Sequence, residues 1–115
     1  MKNIDKLSQY ADVSEKALER YLVSQIKELG GECLKYSNPG VIGYPDRLCL
    51  LPGGYTAWVE LKGKDGVLAP MQRIRLDRLT KLGQRVYVCN SRQAIDQVIQ
   101  DYYRVIQTNN RRNEI

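Results

Sequence analysis

Asp46, Glu60 and Lys62, in the stretch GYPDRLCLLPGGYTAWVELKGK, are the residues of this chain whose types and spacing best suit the hydrolysis of a phosphodiester. Two apolar runs joined by Pro52-Gly53-Gly54 lie between the two carboxylates, which reads as a β-hairpin. Alternate residues of a strand share a face, so Glu60 and Lys62 point the same way, together with Trp58 and Thr56. Counting outwards from the turn sets Asp46 opposite Glu60, at a cross-strand separation of about 5 Å. Carboxylates this close repel each other unless a proton or a cation lies between them. A divalent metal resolves the conflict, and Mg²⁺ needs only one or two carboxylates besides water and phosphate oxygens. The Lys62 ammonium then orients a water or stabilises charge building on phosphorus. The plainer alternative makes Asp46 a turn residue and Glu60 and Lys62 a solvated pair on an exposed strand. The clustering of all three on the flanks of apolar strands, beside a basic segment, favours the chemical reading.

A helix is expected to begin at Pro70, which suits a first helical turn, and to run to about Leu82, where Gly83 stops it. At about 100° per residue, Leu68, Leu76, Leu79 and Gly83 form one stripe with Gln72 in its middle. A polar amide therefore faces the sheet, either as a satisfied core glutamine or as a group contacting the carboxylates or a phosphate. Arg73, Arg78 and Lys81 lie off the stripe, where they either grip a nucleic-acid backbone or face solvent. From Lys62 to Arg85 the chain carries seven basic residues, with Lys64 among them, against Asp65 and Asp77 alone. The net charge of +5 is thus concentrated just after the Glu-Leu-Lys triplet, a distribution that fits a polyanionic partner. The chain has no histidine, which removes Ser/His, Cys/His and histidine-dependent nuclease mechanisms. Cys33, Cys49 and Cys89 fall in strand-like segments without C-x-x-C spacing and read as buried free thiols.

The elements that must position these residues follow from the patterning. Leu18, Leu22, Ile26 and Leu29 mark a first helix from about Val13, with Asp12 and Glu15 resembling a capping box and Gly30-Gly31 as its end. Three strands follow, ECLKYS, DRLCLL and YTAWVELK; then the helix from Pro70, the strand QRVYVCN, and a last helix capped by Ser91 and reaching about Ile106. That order, α-β-β-β-α-β plus a C-terminal helix, implies an α/β fold with a mixed sheet flanked by helices. With 115 residues it forms one domain, with a polar tail from about residue 107 expected to be loose. No apolar run approaches the ~20 residues of a spanning helix, and no signal peptide is visible, so the host cytoplasm is the expected location. In the last helix Ile95, Val98, Ile99 and Tyr102 suit either the sheet or a dimer interface, the core being the safer assignment. Glu19 sits at the edge of the first helix's apolar stripe, with Glu15 as the competing carboxylate.

The segments NPGVIGYPDRLCLL, AWVELKGK and PMQRIRLDRLTKLGQRVYVCNS together resemble the virus-type replication-repair nuclease domain, VRR-NUC, of the PD-(D/E)xK superfamily. The resemblance covers roughly Glu19 to Ser91 and implies a restriction-endonuclease-like core. It implies that Asp46, Glu60 and the backbone carbonyl of Leu61 ligate a metal, Mg²⁺ with Mn²⁺ able to substitute, and that Lys62 assists the water. It raises Glu19 above Glu15, as the helical glutamate binding a second metal or a metal-bound water, and places Gln72 behind the site. Lys35 matches a basic position with a weak claim to DNA contact, alongside Lys64, Arg73, Arg78 and Lys81. Short stand-alone viral members act as dimers on branched DNA. The resemblance therefore implies a homodimeric endonuclease acting on four-way junctions. A nickase, a flap or general nuclease, and a non-cutting nucleic-acid-binding module are the alternatives.

Overall fold

The computed structural model describes residues 14–113. Helix α1, Glu15–Glu28, forms where Leu18, Leu22 and Ile26 recur at helical spacing, and all three are fully buried. Its N-cap is Ser14, whose hydroxyl accepts the Ala17 N–H at 3.1 Å; the expected cap at Asp12 lies outside the described residues. Gly30, at φ 81°, turns the chain out of the helix and into the sheet.

Strands β1 (Glu32–Lys35), β2 (Arg47–Leu51), β3 (Tyr55–Leu61) and β4 (Val86–Cys89) form one sheet in the order β1-β2-β3-β4. The first three run antiparallel, and β4 lies parallel to β3 after the crossover helix α2, Pro70–Lys81. This is the mixed sheet expected from the order of elements. The β2–β3 turn closes with Gly53 and Gly54 at φ 86° and 75°, which pairs Leu51 with Tyr55 and fixes the register back to Arg47 opposite Val59.

That register divides the sheet. Tyr55, Ala57, Val59 and Leu61 of β3 face a core built with Leu18, Leu22 and Ile26 of α1 and with Ile95, Val98 and Tyr102 of α3, Arg92–Asn113. Each fully buried Leu or Ile contributes about 1.5–3 kcal/mol. Thr56, Trp58 and Glu60 point to the other face, which α2 crosses, with its Leu76 and Leu79 buried. Ser91 caps α3 through the Ala94 N–H at 3.1 Å. The helix then continues to Asn113, past the expected end near Ile106, so the described tail is helical rather than loose. No Gly or Pro interrupts it, and Arg111 and Arg112 oppose the helix dipole in its last turn. Tyr102 donates its hydroxyl to the Pro52 carbonyl at 3.0 Å, tying α3 to the hairpin turn. The apolar residues named for α3 serve this core. Among the described residues no helix is long and apolar enough to cross a membrane.

Candidate active site

Asp46 lies one position beyond the end of the β2–β3 ladder, where the register sets it opposite Glu60. Its backbone bridges both neighbours: the N–H donates to Glu60 Oε1 at 3.2 Å, and the carbonyl accepts the Tyr36 N–H at 2.8 Å. Pro45 before it is buried and fixes the entry of the chain into the strand. Lys62 follows β3 directly, and its N–H donates to the Cys89 carbonyl at 3.0 Å, which anchors the end of the Glu-Leu-Lys triplet to β4.

Glu60 is the buried charged residue of the described chain, 1% exposed. Its Oε2 accepts Gln72 Nε2 at 2.9 Å and lies 3.3 Å from Lys62 Nζ. The orientation of the Gln72 amide is fixed from its other end. Ala69 N–H donates to Gln72 Oε1 at 2.9 Å, and since a backbone N–H can only donate, the NH₂ must face the carboxylate. One glutamine thus closes the start of α2 and holds Glu60. Burial raises the Glu60 pKa above the ordinary glutamate value, the charge of Asp46 raises it further, and Lys62 works against both.

An ionised carboxylate offers about four acceptor positions. Three donors surround Glu60, from Asp46, Gln72 and Lys62, which leaves one position open. The half-buried Asp46 carboxylate lies beside Glu60, close enough for its charge to act on it. Two like charges side by side, with an acceptor position open on Glu60, suit a hard cation. No group of three or more Asp, Glu, Cys or His side chains is gathered for a metal among the described residues. An ion here would need a main-chain carbonyl, water and substrate oxygens to complete its shell, a set that suits Mg²⁺.

The structure does not bring Glu19 to this pair. Its Oε1 lies 3.3 Å from Arg47 Nη2, and Arg47 points to the α1 face, opposite to Glu60. Arg47 Nη1 also donates to the Cys33 carbonyl at 3.2 Å, while its buried Nε has no partner. Nothing in the sequence reading singled out Arg47; strand alternation next to Asp46 was the available signal, since an arginine sent towards a core needs an anion. Glu15 is exposed in the first turn of α1. Arg73, Arg78 and Lys81 are exposed along α2, Lys81 pairing with Asp77 at 2.9 Å. Lys64 is exposed in the turn after β3, and Lys35 is exposed at the end of the edge strand β1. Cys49 and Cys89 are buried and Cys33 half-buried. All three are free, with the Cys33 and Cys49 sulfurs 3.8 Å apart.

The profile of the VRR-NUC domain matches residues 6–93, most of the chain and all of the residues just described. The chain belongs to the VRR-NUC family. A solved VRR_NUC domain superposes with a TM-score of 0.72 at 33% identity, covering 77% of this chain and 97% of that one. "Putative nuclease p44" of Acyrthosiphon pisum secondary endosymbiont phage 1 is 38% identical over 79 residues, covering 69% of this chain and 85% of that protein. In this VRR-NUC chain the matched region runs from before α1 to the start of α3, so it includes the sheet, the crossover helix and the pair Asp46 and Glu60.

Proposed function

We propose that this chain is a metal-dependent DNA endonuclease whose reacting centre is Asp46, Glu60 and Lys62, with Gln72 as the residue that positions Glu60. One observation carries the proposal: a fully buried glutamate is held by an oriented amide and an ammonium while a second carboxylate faces it across the ladder. Burying such an arrangement is costly unless the charges are used or compensated. The donor set fits Mg²⁺, with Mn²⁺ substituting, held by Asp46, Glu60 and the Leu61 carbonyl. A divalent cation bound there supplies the positive charge that polarises the phosphate and acidifies the attacking water.

The side chains do the rest. Gln72 keeps Glu60 Oε2 from rotating away, so Oε1 and Oε2 keep fixed directions. Lys62 carries its ammonium to the mouth of the site, where it hydrogen-bonds the water or a phosphate oxygen as negative charge grows. Lys64, Arg73, Arg78 and Lys81 neutralise neighbouring phosphates, with Lys35 a more distant contact. Such contacts position DNA without reading its bases. Glu19, committed to Arg47, has a place in a second metal site only if that ion pair opens.

Family likeness supports the finer part of the proposal: a homodimer that cuts four-way junctions, because two symmetrical cuts require two sites related by a two-fold axis. Asp46→Asn is the test of the reacting centre. Cleavage in Mg²⁺ or Mn²⁺ is expected to fall by about 10³-fold or more, with DNA binding in EDTA unchanged. Cleavage near the wild-type rate places the reacting centre elsewhere. Matched linear, flap and four-way substrates, with sedimentation of the free protein, test the junction preference and the dimer separately.

A further inference from the structure

The loop from Tyr36 to Asp46 is anchored at both flanks and along its length. Asn38 Oδ1 accepts the N–H groups of Gly40 and Val41, each at 3.1 Å. Arg75 of α2 donates its Nε–H to the Ile42 carbonyl at 3.1 Å. Gly43 adopts φ +100°, and a Cβ there would come within 2.5 Å of the Met71 carbonyl oxygen, so the bare backbone rests on α2. On the sheet side, Tyr44 packs against Tyr36 and Trp58 with ring centroids 5.5 and 6.0 Å away, and the Arg75 guanidinium lies over Tyr44 at 5.8 Å. The chain then passes through buried Pro45 into Asp46.

At the tip of this clamped loop Ile42 is 66% exposed and Val41 is 37% exposed. A scattered apolar side chain on a surface is ordinary. Here the backbone is fixed on both sides, so the exposed side chain is held in a defined place. The same rigid segment carries Asp46, and the helix it rests on carries Arg73 and Arg75. An apolar tip and the Asp46 carboxylate therefore sit on one clamped segment.

We propose that Ile42 is a specificity-determining residue that packs against a nucleobase beside the scissile phosphate and unstacks it. Opening a fully stacked step costs a few kcal/mol, and less where a branch already interrupts the stack. A wedge in this place thus converts base stacking into a preference for branched over linear duplex. Arg75 is its positioning residue, through the Ile42 carbonyl. The proposal rests on the assignment of the reacting centre to Asp46 and Glu60 and on the preference for branched DNA proposed above, but its fluorescence readout is measurable without turnover.

The experiment places 2-aminopurine at each branch-point nucleotide of a four-way junction and follows its fluorescence on binding in EDTA. Wild-type protein is expected to raise the signal at one or more positions. Ile42→Ala, with an unchanged melting temperature, is expected to lose most of that rise and about tenfold of the branched-over-linear cleavage preference, while Ile42→Met keeps both. No rise with wild type, an unaltered rise and preference in Ile42→Ala, or Ile42→Met as impaired as Ile42→Ala would each overturn the proposal. Failure of the reacting-centre assignment shows separately, as persistent cleavage by Asp46→Asn, and leaves the metal-free fluorescence result standing.

Discussion

The two faces of the sheet are built from the same strands and do opposite work. Towards α1 and α3, every second residue of β3 is apolar and buried, and two helices seal it. Towards α2, the same strand sends out Trp58, Glu60 and then Lys62, and one helix supplies a glutamine as well as leucines. The first face holds the fold together. The second keeps a carboxylate dry, raises its pKa and sets another carboxylate beside it, none of which stabilises a fold while both carboxylates are ionised and no cation is bound. If the proposed reacting centre is right, stability and chemistry are separated by the thickness of one sheet, and substitutions on the two sides should have different signatures.

The largest expected effect on stability lies on the α1 side. Leu22→Ala removes a fully buried side chain from the centre of α1 and is expected to cost about 2–5 kcal/mol, measured by urea denaturation at constant m. At a temperature where the variant is folded, its cleavage rate should stay within a few-fold of wild type. A selective loss of cleavage without a loss of stability would break the division between the faces.

A smaller effect, of the opposite kind, is expected from Gln72→Leu on the α2 side. The apolar side chain fills a similar volume but gives up the 2.9 Å hydrogen bond to Glu60 Oε2 and the bond from Ala69 N–H. Loss of a partner that orients a ligating carboxylate typically costs about 10–100-fold in metal affinity or activity. The metal concentration for half-maximal cleavage should rise accordingly, while the urea midpoint changes less than in Leu22→Ala. An unchanged metal requirement would reduce Gln72 to a helix-capping residue.

How far this division was legible in the sequence depends on which interactions set each residue. The apolar periodicity of α1 and α3 and the Pro-Gly-Gly turn are local signals, and the turn fixes the register that sets Asp46 opposite Glu60. Gln72 was legible because a lone amide in an apolar stripe has to find a partner. The full burial of Glu60 was not, since part of its cover is Gln72 of α2, which reaches it only once the crossover helix is in place. Glu19 was visible at the edge of the α1 stripe and was raised above Glu15 only by family likeness, but its position depends on Arg47, whose side is set by alternation and whose partners are on two other elements. The clamp on Ile42 likewise joins Asn38, Gly43 and Arg75 across segments that no periodicity connects. The tail beyond Ile106 looked loose because it is polar; polarity is no obstacle to a helix that contains no breaker and already has a packed beginning.

The subtlest contrast between the faces is in their response to pH. Because burial and the charge of Asp46 raise the Glu60 pKa, between the unfolded value of about 4.3 and the raised folded value the native protein binds more protons than the unfolded chain. Stability contributed at this site is therefore present at the acid end of that window and is lost as pH rises through it. In EDTA, the urea stability of wild type minus that of Glu60→Gln should fall with rising pH across the window and level off above it; other titrating groups, including Asp101 with its lowered pKa, largely cancel in the difference. A flat or rising difference would mean that Glu60 is compensated by Lys62 and Gln72 alone. Added Mg²⁺ should then flatten the fall in wild type, because a cation between the two carboxylates favours the ionised form that burial disfavours.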